Sequence, residues 1–275
     1  KGLSIMSKID DKDRFYYNRE FLGSTSGRSL RILSEYYGPL QRLERNNISD
    51  TIVFFGSART SSKEEAEKAL SDAPEGTDKQ TMARLQMDLK MSRYYEDARE
   101  LAKKFTTWSK NLKSTKHRYI ICSGGGPGIM EASNRGASEA GGVNVGLTIS
   151  LPFESSGNKW ISDDLDMKFH YFFMRKFWFL YLAKALIVWP GGFGTLDELM
   201  ELLTLIQTEK IKKRLPIVLY GKEFWENVVN WDYLVEIGTI SPEDLDLFHI
   251  SDEIGDTFQY VTDFLSNNEL EGPNF

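Results

Sequence analysis

Five short apolar runs recur along this chain, each of them close to a turn or a polar segment. They occupy residues 51–55, 119–122, 143–149, 185–189 and 216–220. Runs of about four to eight apolar residues bounded in this way are typical of buried β-strands. Because segments with helical spacing separate most of them, the pattern predicts βαβ units, and therefore a parallel sheet with helices on both faces.

Apolar residues at helical spacing predict six helices after the first strand and a largely helical segment before it. The six helices are expected at residues 86–112, 129–140, 171–184, 195–207, 222–236 and 252–265. In the N-terminal segment, Gly38-Pro39 is expected to bend or break the helix. The charged residues 61–78 are expected to contain a loop. The chain is therefore predicted to form a doubly wound α/β domain over residues 51–275, preceded by a helical N-terminal extension over residues 1–50.

The composition narrows the function classes. The chain has 275 residues, with 34 Lys and Arg against 40 Asp and Glu, which gives a formal net charge of −6. Its apolar content is too high for a disordered chain. Its acidity argues against binding of nucleic acid polymers, which needs a concentrated basic surface. The acidity does not exclude a single anion, because backbone N–H groups bind anions without formal charge.

The cysteine and histidine content bears on metals and on the compartment. A single cysteine, Cys122, excludes an internal disulfide and a cysteine-rich metal site. His117, His170 and His249 lack the spacing of metal ligands, so no metal site is predicted. The low cysteine content fits the reducing cytoplasm, and the N-terminus lacks the apolar core of a signal peptide. Charged residues interrupt the most apolar stretch, residues 171–189, so no membrane span is expected.

Two glycine-rich turns follow predicted strands, where a doubly wound sheet binds its ligand. Glycine lets backbone N–H groups converge on an anion, and the following helix adds its positive N-terminal dipole. The first turn contains Gly124, Gly125 and Gly126, and a tight strand-to-helix connection explains it equally well. The second turn, residues 190–198, is more specific, because three glycines open a helix and Thr195 can cap it or bond a phosphate. Neither turn matches the dinucleotide fingerprint or the P-loop.

Three charged residues near the second turn are candidates for chemistry. Arg175 and Lys176 lie in an otherwise apolar predicted helix, and the Arg175 guanidinium can bond a nucleobase edge or a phosphate at two points. Either cation could instead be structural and reach solvent along its aliphatic stem. Glu198 could point into the same crevice, although acids in the first turn of a helix usually just complement the helix dipole.

Taken together, these residues resemble a known family. Residues 190–198 have the form P-G-G-x-G-T-x-x-E, and Arg175-Lys176 precede them, as in the LOG (Lonely Guy) family, often described as "possible lysine decarboxylase". The resemblance covers roughly residues 51–265, and two segments resemble the longer bacterial branch. It implies a Rossmann-like fold and a homodimer or higher homo-oligomer. The implied reaction is hydrolysis of a nucleoside 5′-monophosphate, of the AMP or cytokinin riboside type, to free base and ribose 5-phosphate, with no metal or other cofactor.

The family motif also implies roles for individual residues. Arg175 and Glu198 match its catalytic pair. The implied substrate-binding positions are Gly56, Ser57, Gly124, Gly125, Gly126, Glu154, Met174, Lys176, Gly191, Gly192, Gly194 and Thr195. Phe172-Phe173 stands where short members carry Met-His, which leaves the base specificity open.

The chemistry of glycosidic cleavage suits a carboxylate and a cation. The reaction passes through a ribosyl group with positive charge at the anomeric carbon. Glu198 would stabilise that charge and orient the attacking water, while Arg175 would assist the departing base. A lysine decarboxylase would need a pyridoxal phosphate site with a Schiff-base lysine, which the sequence does not support. The alternative function is non-catalytic binding or carriage of a nucleotide or another phosphorylated ligand; the presence of both Glu198 and Arg175 favours catalysis.

Overall fold

The apolar runs of the sequence form the centre of a parallel sheet. The computed structural model describes residues 14–150, 157–268 and 272–274. The strands in these residues are β1 (Thr51–Phe55), β2 (Ile120–Ser123), β3 (Asn144–Ile149), β4 (Asp166–Phe169), β5 (Ala183–Val188), β6 (Ile217–Tyr220) and β7 (His249–Ser251). All of them pair in parallel, in the order β4-β3-β2-β1-β5-β6-β7. The strand order therefore reverses between β1 and β5.

Helices cover both faces of the sheet, as predicted. They are α1 (Arg19–Gly23), α2 (Arg28–Arg45), α3 (Lys63–Ser71), α4 (Lys79–Lys110), α5 (Ile129–Glu139), α6 (Phe172–Tyr181), α7 (Phe193–Gln207), α8 (Lys222–Val228), α9 (Trp231–Glu236) and α10 (Ile254–Asn267). Side chains of β1 alternate between the faces. Ile52 and Phe54 belong to a buried cluster with α4, α5 and α10, whereas Val53 and Phe55 belong to one with α2, α6 and α7. The doubly wound α/β fold is thus confirmed, and the division at residue 50 stays a prediction.

Pro39 does not break α2, so the prediction of a break was wrong. The helix runs unbroken through Pro39. Proline has no N–H, so the Glu35 carbonyl, four residues earlier, loses its usual helical partner. The indole Nε1–H of Trp178 on α6 donates to that carbonyl at 2.9 Å. A donor from another helix therefore replaces the bond that an internal proline removes.

Several helix boundaries differ from the prediction because of capping. Residues 61–78 contain α3, which Ser62 and Glu65 open with a reciprocal capping box. The long helix α4 starts earlier than predicted because Asp78 caps it. The single helix predicted for residues 222–236 is two helices, and Asn230 caps the second of them. The edge strands β4 and β7 were not predicted, since runs of four and three residues are too short for their pattern to stand out.

Candidate active site

The loops that follow β1, β2 and β5 surround a cleft at the carboxyl ends of the strands. The strand order reverses there, and open α/β sheets bind ligands at such points. The cleft has a volume of about 710 Å³, and α6 and α7 complete its lining. It brings together nine of the residues predicted from the sequence: Gly56, Ser57, Gly124, Gly126, Arg175, Gly192, Gly194, Thr195 and Glu198.

Four of the other predicted site residues do not line the cleft. Gly125, Met174, Lys176 and Gly191 lie outside its lining. Met174 is buried in the core of the protein. Glu154 lies outside the described residues. Contact of these residues with a substrate stays a prediction.

Lys176 joins the two helices of the site. Its Nζ lies 3.0 Å from Asp197 Oδ2 and 2.5 Å from Glu201 Oε2, both on α7. Lys176 itself lies on α6. These ion pairs fix the spacing between the helix that carries Arg175 and the helix that carries Glu198.

Backbone hydrogen bonds connect the loops that follow β1, β2 and β5 into one continuous surface of the cleft. The Ser57 N–H donates to the Pro190 carbonyl, and the Ile129 N–H donates to the Ser57 carbonyl, both at 3.0 Å. Gly128, before α5, has a φ of +70°, and a Cβ there would lie 2.3 Å from the Ser57 oxygen. Only glycine allows this approach of the loop after β2 to the loop after β1. The predicted turns are therefore parts of a single site.

A network of asparagines holds the first glycine turn. The Gly125 N–H donates to Ser123 Oγ at 3.0 Å, so this amide is already engaged. The side chain of Asn158 donates to the Gly125 carbonyl at 3.1 Å and to Asn134 Oδ1 at 3.0 Å. Asn134 Oδ1 also accepts from the Ser123 hydroxyl at 2.7 Å. Gly125 thus has a structural role, and sequence reasoning missed the asparagines because no local motif marks them.

The second glycine turn presents bare backbone to the cleft. Gly191 is required by packing, because a Cβ would lie 2.2 Å from the Thr195 hydroxyl. A Cβ on Gly192 or Gly194, in contrast, would meet nothing within 4 Å. Neither residue has a positive φ, so the fold itself does not demand glycine at these two positions. α7 starts here without a side-chain cap. Its first N–H groups and its dipole therefore suit an anion in the cleft.

Arg175 lies between two aromatic rings. Its guanidinium carbon is 5.1 Å from the centre of the Phe172 ring and 5.5 Å from that of Phe179. Cation–π contacts of this kind hold a guanidinium in place while leaving it charged. Both rings and Arg175 also line the cleft.

Glu198 is a buried carboxyl group in the wall of the cleft. Its residue is 6% exposed, and its Oε2 has no hydrogen-bond partner among the described residues. Burial raises the pKa of Glu198 to about 7, against the opposing effect of the Lys176 and Arg175 charges. A carboxyl group with such a pKa can exchange a proton near neutral pH. Unpartnered buried oxygens are rare in folded proteins and are expected at functional sites.

Arg59 is a cation at the cleft that sequence reasoning missed. It is exposed, lines the cleft, and its backbone N–H donates to Ser57 Oγ at 3.0 Å. The only signal in the sequence is its position shortly after the first glycine of the β1 loop. Together, Arg59, Arg175 and Glu198 are the charged side chains of the described lining.

Comparison with known families agrees with the motif. A family model described as "Possible lysine decarboxylase" matches residues 130–261, which include Arg175, the second glycine turn and Glu198. This match supports the family. It does not distinguish the branches of this lysine decarboxylase-type (LOG-type) family.

Solved structures of similar fold share little sequence with this chain. The X-ray structure of TM1055 is 18% identical, covers 78% of this chain and 99% of that chain, and has a TM-score of 0.46. A structure of the molybdenum cofactor carrier protein from Chlamydomonas reinhardtii is 17% identical, covers 79% and 99% of the two chains, and has a TM-score of 0.41. The likeness concerns the fold alone. No curated protein matches the chain in a sequence comparison.

Within the described residues, no group of three or more His, Cys, Asp and Glu side chains is arranged to hold a metal ion. Over the same residues, the helices are too short or too polar to span a membrane.

Proposed function

We propose that the protein hydrolyses the N-glycosidic bond of a nucleoside 5′-monophosphate to give the free base and ribose 5-phosphate. One observation carries the proposal. A buried carboxyl group with an unpartnered oxygen, Glu198, faces the same cleft as Arg175 and the bare glycine surface of Gly192 and Gly194. Structural roles within the chain explain neither the unpartnered oxygen nor the two glycines.

The bare glycine surface is the proposed phosphate site. The absent Cβ atoms allow close approach, and the uncapped N-terminus of α7 supplies N–H donors and a positive dipole. Arg59, in the loop after β1, adds a formal positive charge to the cleft lining. The phosphate undergoes no reaction; its binding energy positions the ribose.

Glu198 is the proposed catalytic carboxylate. Water attacks the anomeric carbon, a new C–O bond forms, and the C–N bond to the base breaks with its electron pair going to the base. The carboxylate stabilises the positive charge on the ribosyl group and accepts a proton from the water. The departing base takes up a proton from solvent and ends as a neutral N–H compound, while Glu198 releases the proton it accepted to solvent and is a carboxylate again.

Arg175 is the proposed partner of the leaving base. Negative charge develops on the ring nitrogen as the bond breaks, and a guanidinium close to it lowers the barrier. Phe172 and Phe179 hold this guanidinium and also line the cleft.

The family description suggests pyridoxal phosphate chemistry, and the cleft does not fit it. A Schiff base needs a lysine in the site. No described residue of the lining is a lysine, and the neighbouring segment 151–156 contains none. The nearby Lys176 is bound by two carboxylates; burial works to lower its pKa, but hydrogen bonds to Glu201 and Asp197 outweigh burial and leave the pKa raised. A strongly protonated amine is a poor nucleophile.

The resemblance also supports finer assignments, which we propose with the function. They are the longer bacterial branch of the family, a homodimer or higher homo-oligomer, and a cytoplasmic location. Exposed aromatic residues on α6 and at the start of α7, namely Phe172, Phe173 and Phe193, are consistent with an interface between copies.

An assay of base release tests the function. The purified protein is incubated with AMP, GMP, CMP, UMP and prenylated AMP, and free base is separated by chromatography. We expect release from at least one purine nucleotide, much slower release from the nucleoside without phosphate, and a loss of at least about 100-fold in Glu198→Gln and Arg175→Ala. The matched control is Glu236→Gln, which replaces an exposed carboxylate on α9 outside the cleft lining and should keep its activity.

The base-release assay, combined with calorimetry, distinguishes the enzyme from a carrier. Binding of a nucleotide in the calorimeter without release of any base would support a non-catalytic carrier. Full activity in Glu198→Gln would contradict the mechanism.

A further inference from the structure

The start of α6 is capped by a residue from a distant helix. The N-cap residue of α6, Tyr171, makes no side-chain capping bond of its own. Instead, the Glu35 carboxylate of α2 accepts the backbone N–H of His170 at 2.7 Å and that of Tyr171 at 3.2 Å. A carboxylate at this end of a helix also complements the positive end of the helix dipole.

Glu35 contacts α6 a second time through its backbone. Its carbonyl accepts the Trp178 indole N–H at 2.9 Å. That carbonyl is available because Pro39 cannot donate to it. One residue therefore binds both the start of α6 and a side chain about two turns further on.

These bonds act on the helix that carries Arg175. Arg175 and Phe172 lie within the first turns of α6 and line the cleft, and Lys176 joins the same turns to α7. Loss of the cap frays the first turn of a helix, and so it would move Arg175 and Phe172 relative to Glu198.

We propose that Glu35 is a positioning residue for the reaction, so that α2 of the N-terminal segment holds the catalytic arginine in place. The proposal rests on the proposed hydrolysis. Glu35 is not a residue of the cleft lining, and its bonds to the start of α6 and to Trp178 are the route by which it acts. The segment before β1 is then part of the catalytic machinery.

The test is a double-mutant cycle with Arg175. In the wild-type background we expect Glu35→Ala to lower kcat by about tenfold with a smaller change in KM, because a misplaced catalytic group costs transition-state stabilisation. In the Arg175→Ala background the same change should cost less than about twofold, since the residue it positions is already gone. Glu35→Gln retains one acceptor oxygen and should recover part of the loss. Glu44→Ala, which removes an exposed carboxylate from the same helix, is the matched control and should leave kcat unchanged.

Amide hydrogen exchange separates this proposal from the proposed function. Glu35→Ala should speed exchange at residues 170–175 whether or not the protein turns over nucleotides. Unchanged exchange there, or equal losses of kcat in the two backgrounds, would overturn the positioning role. Absence of turnover in the wild type together with faster exchange in Glu35→Ala would overturn the hydrolysis and leave only a structural cap.

Discussion

At the level of single residues, the ionisation of Glu198 links its burial to the pH dependence of stability. Its pKa is raised by burial from the ordinary value of 4.5 to about 7. The folded protein therefore binds this proton more tightly than the unfolded chain does. It follows that stability from this group is present at low pH and is lost as the pH rises through about 7.

Replacement of this carboxyl group should therefore stabilise the protein in a pH-dependent way. We expect Glu198→Gln to raise the free energy of unfolding by up to about 3 kcal/mol at pH 8 and by about 1 kcal/mol at pH 5. Denaturant unfolding at the two pH values measures the difference. Glu236→Gln, which replaces an exposed carboxylate on α9, should show no such gain. An equal gain at both pH values would contradict the buried, titrating carboxyl group.

Gly194 offers a change that should move stability and binding in opposite directions. A Cβ there meets nothing in the protein, and the residue lies in the first turn of α7. Gly194→Ala should stabilise the fold by up to about 1 kcal/mol, because alanine loses less entropy in a helix. It should weaken nucleotide binding by placing a methyl group in the proposed phosphate site. Thermal unfolding and calorimetry measure the two effects.

Gly255 provides the control for that prediction. It is also the second residue of a helix, α10, and its Cβ would also meet nothing within 4 Å. Gly255→Ala should stabilise the protein to a similar extent and leave nucleotide binding unchanged. Unchanged nucleotide binding in Gly194→Ala would argue against the phosphate site.

Several residues of the cleft could be predicted because they lie close together in the sequence, in one strand-to-helix turn. Gly192, Gly194 and Glu198 follow one another after a strand, so the strand-to-helix turn alone positions them. Asn134 and Asn158 could not be predicted, because their bonds join separate loops and depend on the folded sheet. Nothing near Arg59 in the sequence shows that its loop faces the second glycine turn.

At the level of elements, the partnership of α2 and α6 can be tested through Pro39. Trp178→Phe leaves the Glu35 carbonyl without its donor and should cost about 1–3 kcal/mol of unfolding free energy. In a Pro39→Ala background, the new alanine N–H can donate to Glu35 within the helix. The cost of Trp178→Phe should then be clearly smaller. Equal costs in the two backgrounds would show that the indole bond does not substitute for the helical one.

The central strands could be predicted from the pattern of apolar residues, whereas the edge strands could not. The central strands were predicted because burial on both faces gives continuous apolar runs. The edge strands β4 and β7 are short and partly exposed, so their pattern is weak. The donor that takes the place of the missing helical bond in α2 is the Trp178 indole, which lies far away in the sequence, so no local rule could have supplied it.

At the level of the whole molecule, the exposed aromatic residues predict association. Phe173 is 51% exposed on α6, and Met200 is exposed on α7, the helix that Lys176 joins to α6 by ion pairs. We expect a homodimer by light scattering after size-exclusion chromatography, and a monomer in Phe173→Glu with Met200→Glu. Tyr233→Glu, an exposed aromatic on α9, should leave the mass unchanged. A wild-type monomer would contradict the prediction.

The net charge of the molecule does not describe its cleft. The chain carries a charge of −6. The described lining nevertheless holds two arginines and one carboxyl group, and the α7 dipole adds to their positive field. The acidic total concerns the outer surface, and it opposes long polyanions more than a single phosphate.

The reversal of strand order between β1 and β5 has a consequence for folding. β1 pairs on one side with β2 and on the other with β5, which lies much further along the chain. Pairings between distant segments form slowly, so the two halves of the sheet should meet late, with the apolar edge of β1 open until they do. The cleft lies across the pairing of β1 with β5, since the Ser57 loop belongs to one half of the sheet and the Gly192 loop to the other. A nucleotide that bridges both loops binds only the joined sheet, so it should raise the yield of refolding and protect a nascent chain from aggregation.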